Sequence, residues 1–401
     1  MVRRVGFLGF PDVSGPYSLF SQLRPSLLKY GVELRWFAAA NDPHRGYVKE
    51  DWTNERQYGD FVGTENDGDE SAGRKLVDHL QRENFDVVFV NVLSTPLPMN
   101  ACRYLAGDGR RIMIVHSTSR GTYQAARAMS PFVDHTVCVS PRIQTDLGIR
   151  YRIDATRSCV IPNGYSNLFD SPQSQRTIPS LPLRILSLGR IDDSSKGVFW
   201  IPEILKHFPA EQYRLTIAGD GPDREKLRLL CGKHRIVADF VGRVGPEKAC
   251  ELFDSHDVML FPSRFEGFGI TLAESMRRGC VPIASKIRGV TDFIIDDGKS
   301  GFLFPVGDTR AASQIIRRLI SGPAEVLDCS ERAIQRAKER FSPDLIAEAY
   351  AKLLSTTLGA PRSSMCTDLN VWSYPRAFKP GFGSRFPAPV KAWLRGIASR
   401  F

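Results

Sequence analysis

The chain has 401 residues, too many for one ordinary α/β domain and comfortable for two. With 42% apolar residues it can fill two cores, and its eight cysteines contain no C-x-x-C pair, which points to buried thiols of a reducing compartment and away from a disulfide frame or zinc site. The net charge of +10 is uneven: residues 361–401 hold seven Arg or Lys against the single acid Asp368, a pattern that suits anionic lipid better than nucleic acid.

In chain order, "MVRRVGFLGF" reads as a first β-strand and not as a signal peptide, and nowhere do eighteen apolar residues run together. A cytoplasmic protein is expected. Pro25, inside the next helical pattern, predicts a kinked or shortened helix. The polar stretch 41–75 reads as an extended loop region. Strand-like apolar runs stand at 5–10, 32–39, 86–92, 111–117, 135–140 and 158–164. A second set follows at 183–190, 213–220, 238–243, 258–263, 281–286 and 301–306. Runs apolar on both faces, alternating with helices, predict two doubly wound parallel sheets. Between the sets, "DSPQSQRTIPSLP" (170–182) has the composition of a linker. The expected domains are therefore 1–170 and 171–341, followed by a C-terminal segment, 342–401. That segment opens with a helix over 342–358, capped by Ser342 with Pro343 in its first turn.

The strongest chemical signal is "LFPSRFEGFGITLAES" (260–275). A strand ends, a glycine turn follows, and a helix opens near Gly269. The amides of Gly267, Phe268 and Gly269 would then form a seat for phosphate. Glu266 and Glu274 flank that seat, where carboxylates suit sugar and ribose hydroxyls and not the phosphate itself. The second signal is "SLGRIDDSSKGV" (187–198), whose Arg190 and Lys196 could clamp a diphosphate and offset its growing charge without a metal ion. Asp67-Gly68-Asp69 could imitate a metal-binding D-x-D, but no strand precedes it and an acidic turn is the simpler reading. The "GDGP" stretch (219–222) reads equally as a cleft-facing turn or a tight turn alone.

With "LGR…KG", "IAGDGP", "FVGRV" and E-x7-E in order over residues 183–358, the second half resembles the nucleotide-binding domain of family 4 retaining glycosyltransferases. The resemblance implies the GT-B fold, two Rossmann-like domains facing a cleft, with the C-terminal helix returning towards the N-terminal domain. It implies that Arg190 and Lys196 bind the donor diphosphate, Glu266 the donor sugar, Glu274 the ribose, and Arg243 with Val244 the nucleobase. In the first half, Gly15 stands at the family's glycine loop, though Pro16 replaces the usual second glycine and removes an N–H. His116 stands where the family places a histidine towards the donor sugar, with Ser117 in place of the usual acid.

The expected activity is retaining transfer from a nucleotide-diphosphate sugar to a hydroxyl of a glycan or lipid-linked acceptor. No cofactor or metal is expected. The basic aromatic segment 361–401, where Val390, Trp393, Leu394, Ile397 and Phe401 recur at helical spacing, either rests on the inner membrane face or packs back on the N-terminal domain. Alternatives are a nucleotide-sugar epimerase or phosphorylase of the same architecture, and a degenerate sugar-nucleotide-binding subunit.

Overall fold

The computed structural model describes residues 3–11, 15–42, 52–92, 95–172, 175–362 and 364–378. The chain divides into two compact units, Met1–Asn163 with Pro343–Phe401, and Gly164–Ser342. The first holds a seven-stranded sheet: β1 (Arg3–Leu8), β2 (Val32–Ala39), β3 (Gly59–Val62), β4 (Val87–Asn91), β5 (Arg110–Val115), β6 (His135–Cys138) and β7 (Ser158–Val160). Its order is β3-β2-β1-β4-β5-β6-β7, and every pairing is parallel. The second holds β8 (Leu183–Leu188), β9 (Tyr213–Ala218), β10 (Ala238–Gly242), β11 (Val258–Phe261), β12 (Val281–Lys286) and β13 (Phe302–Pro305) in the order β10-β9-β8-β11-β12-β13, again parallel. Both are doubly wound sheets, as the paired apolar runs predict.

The stretch 41–75, read as loop from its polarity, needs correcting: its described part carries the edge strand β3 and the start of helix Asp69–Glu83. Phe61 of β3 packs edge-on against Trp36 at 5.2 Å, and the helix buries Ala72, Leu76, Val77 and Leu80 at helical spacing. Pro25 does not shorten its helix, which runs from Gly15 to Leu28. Pro25 and Ser21, whose carbonyl loses the bond that Pro25 cannot donate, both lie exposed, on the side of the helix open to solvent.

Helix Pro343–Gly359 belongs to the first unit. It packs on helix Gly15–Leu28 and buries Ile346, Tyr350 and Leu354, with the Tyr350 ring 5.6 Å from Phe89 of β4. Three such side chains contribute about 5–9 kcal/mol by area burial. Beyond it the chain continues along the same unit. The Ser364 amide donates to Asp134, the Thr367 amide to the Arg103 carbonyl, and Trp372 stacks on Tyr104 at 4.7 Å. The helical pattern read at 390–401 lies outside the described residues.

In the second unit, the described part of the stretch of linker composition is tied down at Arg176. Arg176 is half-buried and donates to the carbonyls of Phe253, His256 and Arg278. The core between sheet and helices gathers Ile185, Leu215, Ile217, Val258, Leu260 and Ile283. No helix among the described residues is long and apolar enough to cross a membrane.

Candidate functional site

In a doubly wound sheet, ligands gather at the carboxyl ends of the strands where the winding reverses. In the second unit that point lies between β8 and β11, which are neighbours in the sheet. The two segments leaving those strands are Gly189–Gly197 and Pro262–Gly269, the two motifs singled out from the sequence. Topology therefore brings together residues some seventy positions apart.

The segment after β8 ends in one short helical turn, Asp193–Lys196, capped by the Asp192 side chain, which accepts from the Ser194 amide at 3.0 Å. Gly197 closes it with φ 60°, and a side chain there would collide with the Pro262 carbonyl. Arg264 then fastens the two segments. Its amide donates to the Ser195 carbonyl at 2.8 Å and its guanidinium reaches the Asp193 carbonyl and carboxylate, both at 2.7 Å. The same guanidinium lies over the Trp200 ring at 3.9 Å.

This framework sets Lys196 beside Glu266, with Nζ 2.6 Å from Oε1, and the Ser263 hydroxyl donates to that same oxygen at 2.7 Å. The helix opens at Ile270 with Gly269 as its N-cap, and the amides of Gly267, Phe268 and Gly269 donate to no group among the described residues. An oriented set of undonated amides at a helix start favours an anion. Phe268 is buried against Phe341 at 5.5 Å, which holds the turn in place. Arg190 is exposed at the end of β8 and pairs with no carboxylate among the described residues.

Glu274 lies in helix Ile270–Arg277, half-buried, and burial pushes its carboxyl up to about 7. That carboxyl makes no hydrogen bond or ion pair among the described residues. A carboxyl desolvated without a partner is poised to accept from ligand hydroxyls. Arg243 is exposed and Val244 half-buried just past β10.

The "GDGP" turn is more than a bend. Gly219 has φ 136°, and a side chain there would collide with the Gly189 carbonyl of the neighbouring segment. Asp223 accepts from the Asp193 amide at 2.7 Å. The turn thus braces the segment that carries Arg190 and Lys196.

In the first unit, Gly15 is exposed at the start of its helix. His116 follows β5, with Nε2 2.7 Å from Asn91 Oδ1 at the end of β4. The Asn91 amide nitrogen donates to the Leu8 carbonyl at 2.8 Å, so its oxygen is the end that meets His116. Nε2 of His116 therefore carries the proton and Nδ1 is the acceptor. That Nδ1 is buried without a partner among the described residues, and burial holds the imidazole down at about 4, so it is neutral at neutral pH.

Sequence reasoning missed Ser263, Arg264 and Asn91, each of which acts through a contact distant in the chain or through a turn not visible as a motif. The expectation that no strand precedes Asp67-Gly68-Asp69 fails, since β3 ends at Val62, but the acidic turn stands: Asp67 accepts from the Thr64 amide at 2.7 Å and from Lys75 at 2.6 Å.

Comparison with known proteins agrees with this architecture. The family profile "Glycosyltransferase Family 4" matches residues 19–166, and "Glycosyl transferases group 1" matches residues 172–340. The phosphatidyl-myo-inositol mannosyltransferase of Mycobacterium tuberculosis is 30% identical over 72% of this chain and 78% of its own. The N-acetyl-alpha-D-glucosaminyl L-malate synthase of Bacillus anthracis is 25% identical over 87% of this chain and 96% of its own. Some other relatives align over less than half of their own length. Among solved structures, Anabaena HepE in complex with UDP-glucose superposes with TM-score 0.71 at 18% identity, over 88% of this chain and 99% of that one. This last likeness is one of fold.

Proposed function

Since this chain belongs to the family 4 (group 1) glycosyltransferases, we propose that it transfers a sugar, with retention, from a nucleotide-diphosphate donor to a hydroxyl of a glycan or lipid-linked acceptor. The observation that carries the reading is the pairing of Lys196 with Glu266 beside three undonated amides at the switch point of the second sheet. An ammonium and a row of amides suit a diphosphate, while an adjacent carboxylate suits the hydroxyls of what the diphosphate carries. Arg190 and Lys196 take the diphosphate, Glu266 the sugar, Glu274 the ribose, and Arg243 with Val244 the base. In the first unit, Nδ1 of His116, which has no partner among the described residues, is an acceptor suited to a sugar hydroxyl, and the backbone at Gly15 is the other contact that the family resemblance implies.

Catalysis on this reading is electrostatic. Cations and amides stabilise the leaving phosphate, which accepts the proton of the attacking hydroxyl. The protein's cations do the work of a divalent ion, so activity is expected to persist in excess chelator. The solved Anabaena neighbour carries UDP-glucose, which makes that the first donor to try within a panel of nucleotide sugars. Transfer to an added acceptor with chelator present supports the proposal. An epimerised donor, phosphorolysis, or binding without turnover would each point to one of the alternatives. For the anionic membrane, the reading narrows to 379–401, which holds five Arg or Lys and no acid, because 364–378 is engaged with the first unit. Sedimentation with anionic vesicles should separate the full chain from one ending at Phe378.

A further inference from the structure

We infer that Glu266 also competes with the spent nucleoside diphosphate for Lys196 and so drives its release. The inference rests on the donor-site reading above and deepens it. Lys196 Nζ and Glu266 Oε1 stand 2.6 Å apart, and their side chains are only 27% and 11% exposed. The Phe261 ring lies 5.3 Å beneath the ammonium, so one side of the pair is apolar and screening by water is reduced. Ser263 donates to the same carboxylate oxygen at 2.7 Å and holds it in place.

Arg264, the other cation fastened to this turn, cannot take over from Lys196, because it is committed to Asp193 and stacked on Trp200. In the ligand-free protein, the charge meant for the diphosphate is therefore already engaged by a carboxylate of the same site.

A nucleoside diphosphate entering alone must draw Lys196 from Glu266 and then hold its own charge close to that carboxylate. Both effects weaken its binding. A sugar nucleotide meets a different balance. Its hydroxyls donate to Glu266 just as its phosphate takes Lys196, so the carboxylate exchanges one set of donors for another. Once the sugar has left with the acceptor, those hydroxyls are gone and Glu266 reclaims the ammonium. The pair favours donor over product, and the same carboxylate that orients the sugar ejects the diphosphate that remains.

The test is counterintuitive, because disabling a sugar-binding residue should strengthen product binding. Titration calorimetry with UDP and GDP, on folded wild type and Glu266→Gln, reads the effect directly. For whichever diphosphate the wild type binds, Glu266→Gln is expected to bind about tenfold tighter, equivalent to about 1.4 kcal/mol. Glu266→Asp, whose shorter side chain withdraws from Lys196, should move the same way and serves as the second variant. In a Lys196→Gln background the gain should vanish, because no ammonium remains to be freed. Equal or weaker binding by both folded variants overturns the inference, as does a gain that survives without Lys196. If the wild type binds neither UDP nor GDP, nor ADP, CDP or dTDP, the donor-site reading falls and this inference with it. A wild type that binds while neither folded variant gains overturns the inference and leaves the donor-site reading standing.

Discussion

Glu274 offers a stability test of the donor site that needs no substrate. Its carboxyl ionises ordinarily at 4.5 and is held by burial at about 7 in the folded chain. Between those values the unfolded state has released its proton and the folded state has not. Stability therefore falls as pH rises from about 4.5 to about 7, and stays flat above. The difference amounts to about 3 kcal/mol once the group is ionised in both states. Glutamine has the same shape and nothing to ionise. Glu274→Gln should thus match the wild type near pH 4.5 and exceed it by about 3 kcal/mol at pH 8. For a unit of this size that is about 6–12 °C in Tm. The same variant should lose donor affinity, since a carboxylate accepts from two ribose hydroxyls and an amide oxygen does so more weakly. Thermal melts of both proteins from pH 4.5 to pH 8 decide the matter. A gap that does not widen with pH, or a variant less stable at pH 8, would refute the claim that an unpartnered, desolvated carboxyl sits there.

Three further outcomes follow from the site. Arg190→Ala and Lys196→Ala should each lower turnover by about two orders of magnitude or more, measured as kcat on the preferred donor, with Tm changed little for the exposed Arg190. His116 is held at about 4, so it should contribute no ionisation to the activity profile between pH 5 and 8. Its contribution to stability is present above the ordinary histidine value of 6.5 and lost as pH falls from there towards 4, a change that His116→Gln should abolish in acid melts. Arg264→Ala should cost about 2 kcal/mol, by releasing Asp193 and uncovering Trp200, and should reduce turnover by loosening the Lys196 segment. Arg264→Lys keeps the charge but not the fork and should recover only part of either loss.

Among the described residues, twelve of the thirteen strands could be read from apolar runs: most are buried on both faces and need continuous apolar sequence, and the half-exposed edge strands β7 and β10 keep enough of it to be seen. β3 could not: it is four residues long, lies at a sheet edge and begins with a glycine. The helix after it starts inside a polar stretch and shows its apolar stripe only from Ala72 onward. The motif residues Arg190, Lys196, Glu266 and Glu274 were visible because turn chemistry and strand ends mark the switch point. What joins them was not. The Lys196–Glu266 pair, the Arg264 fork and the Asn91–His116 contact are made between different strand ends, and no local pattern records which ends become neighbours. At Pro25 only the expected shortening failed, since a helix interior tolerates proline at an exposed turn.

The first unit closes only with helix Pro343–Gly359, which is separated from the rest of that unit by the whole of the second. During synthesis at roughly 5–20 residues per second, the apolar surface of Phe89 and of helix Gly15–Leu28 must therefore wait about ten to forty seconds for its cover. The second unit, continuous in sequence, emerges from the ribosome complete and can fold in that interval. Truncations that remove the helix and all that follows it would leave the second unit intact while stranding the first in its nascent, aggregation-prone form.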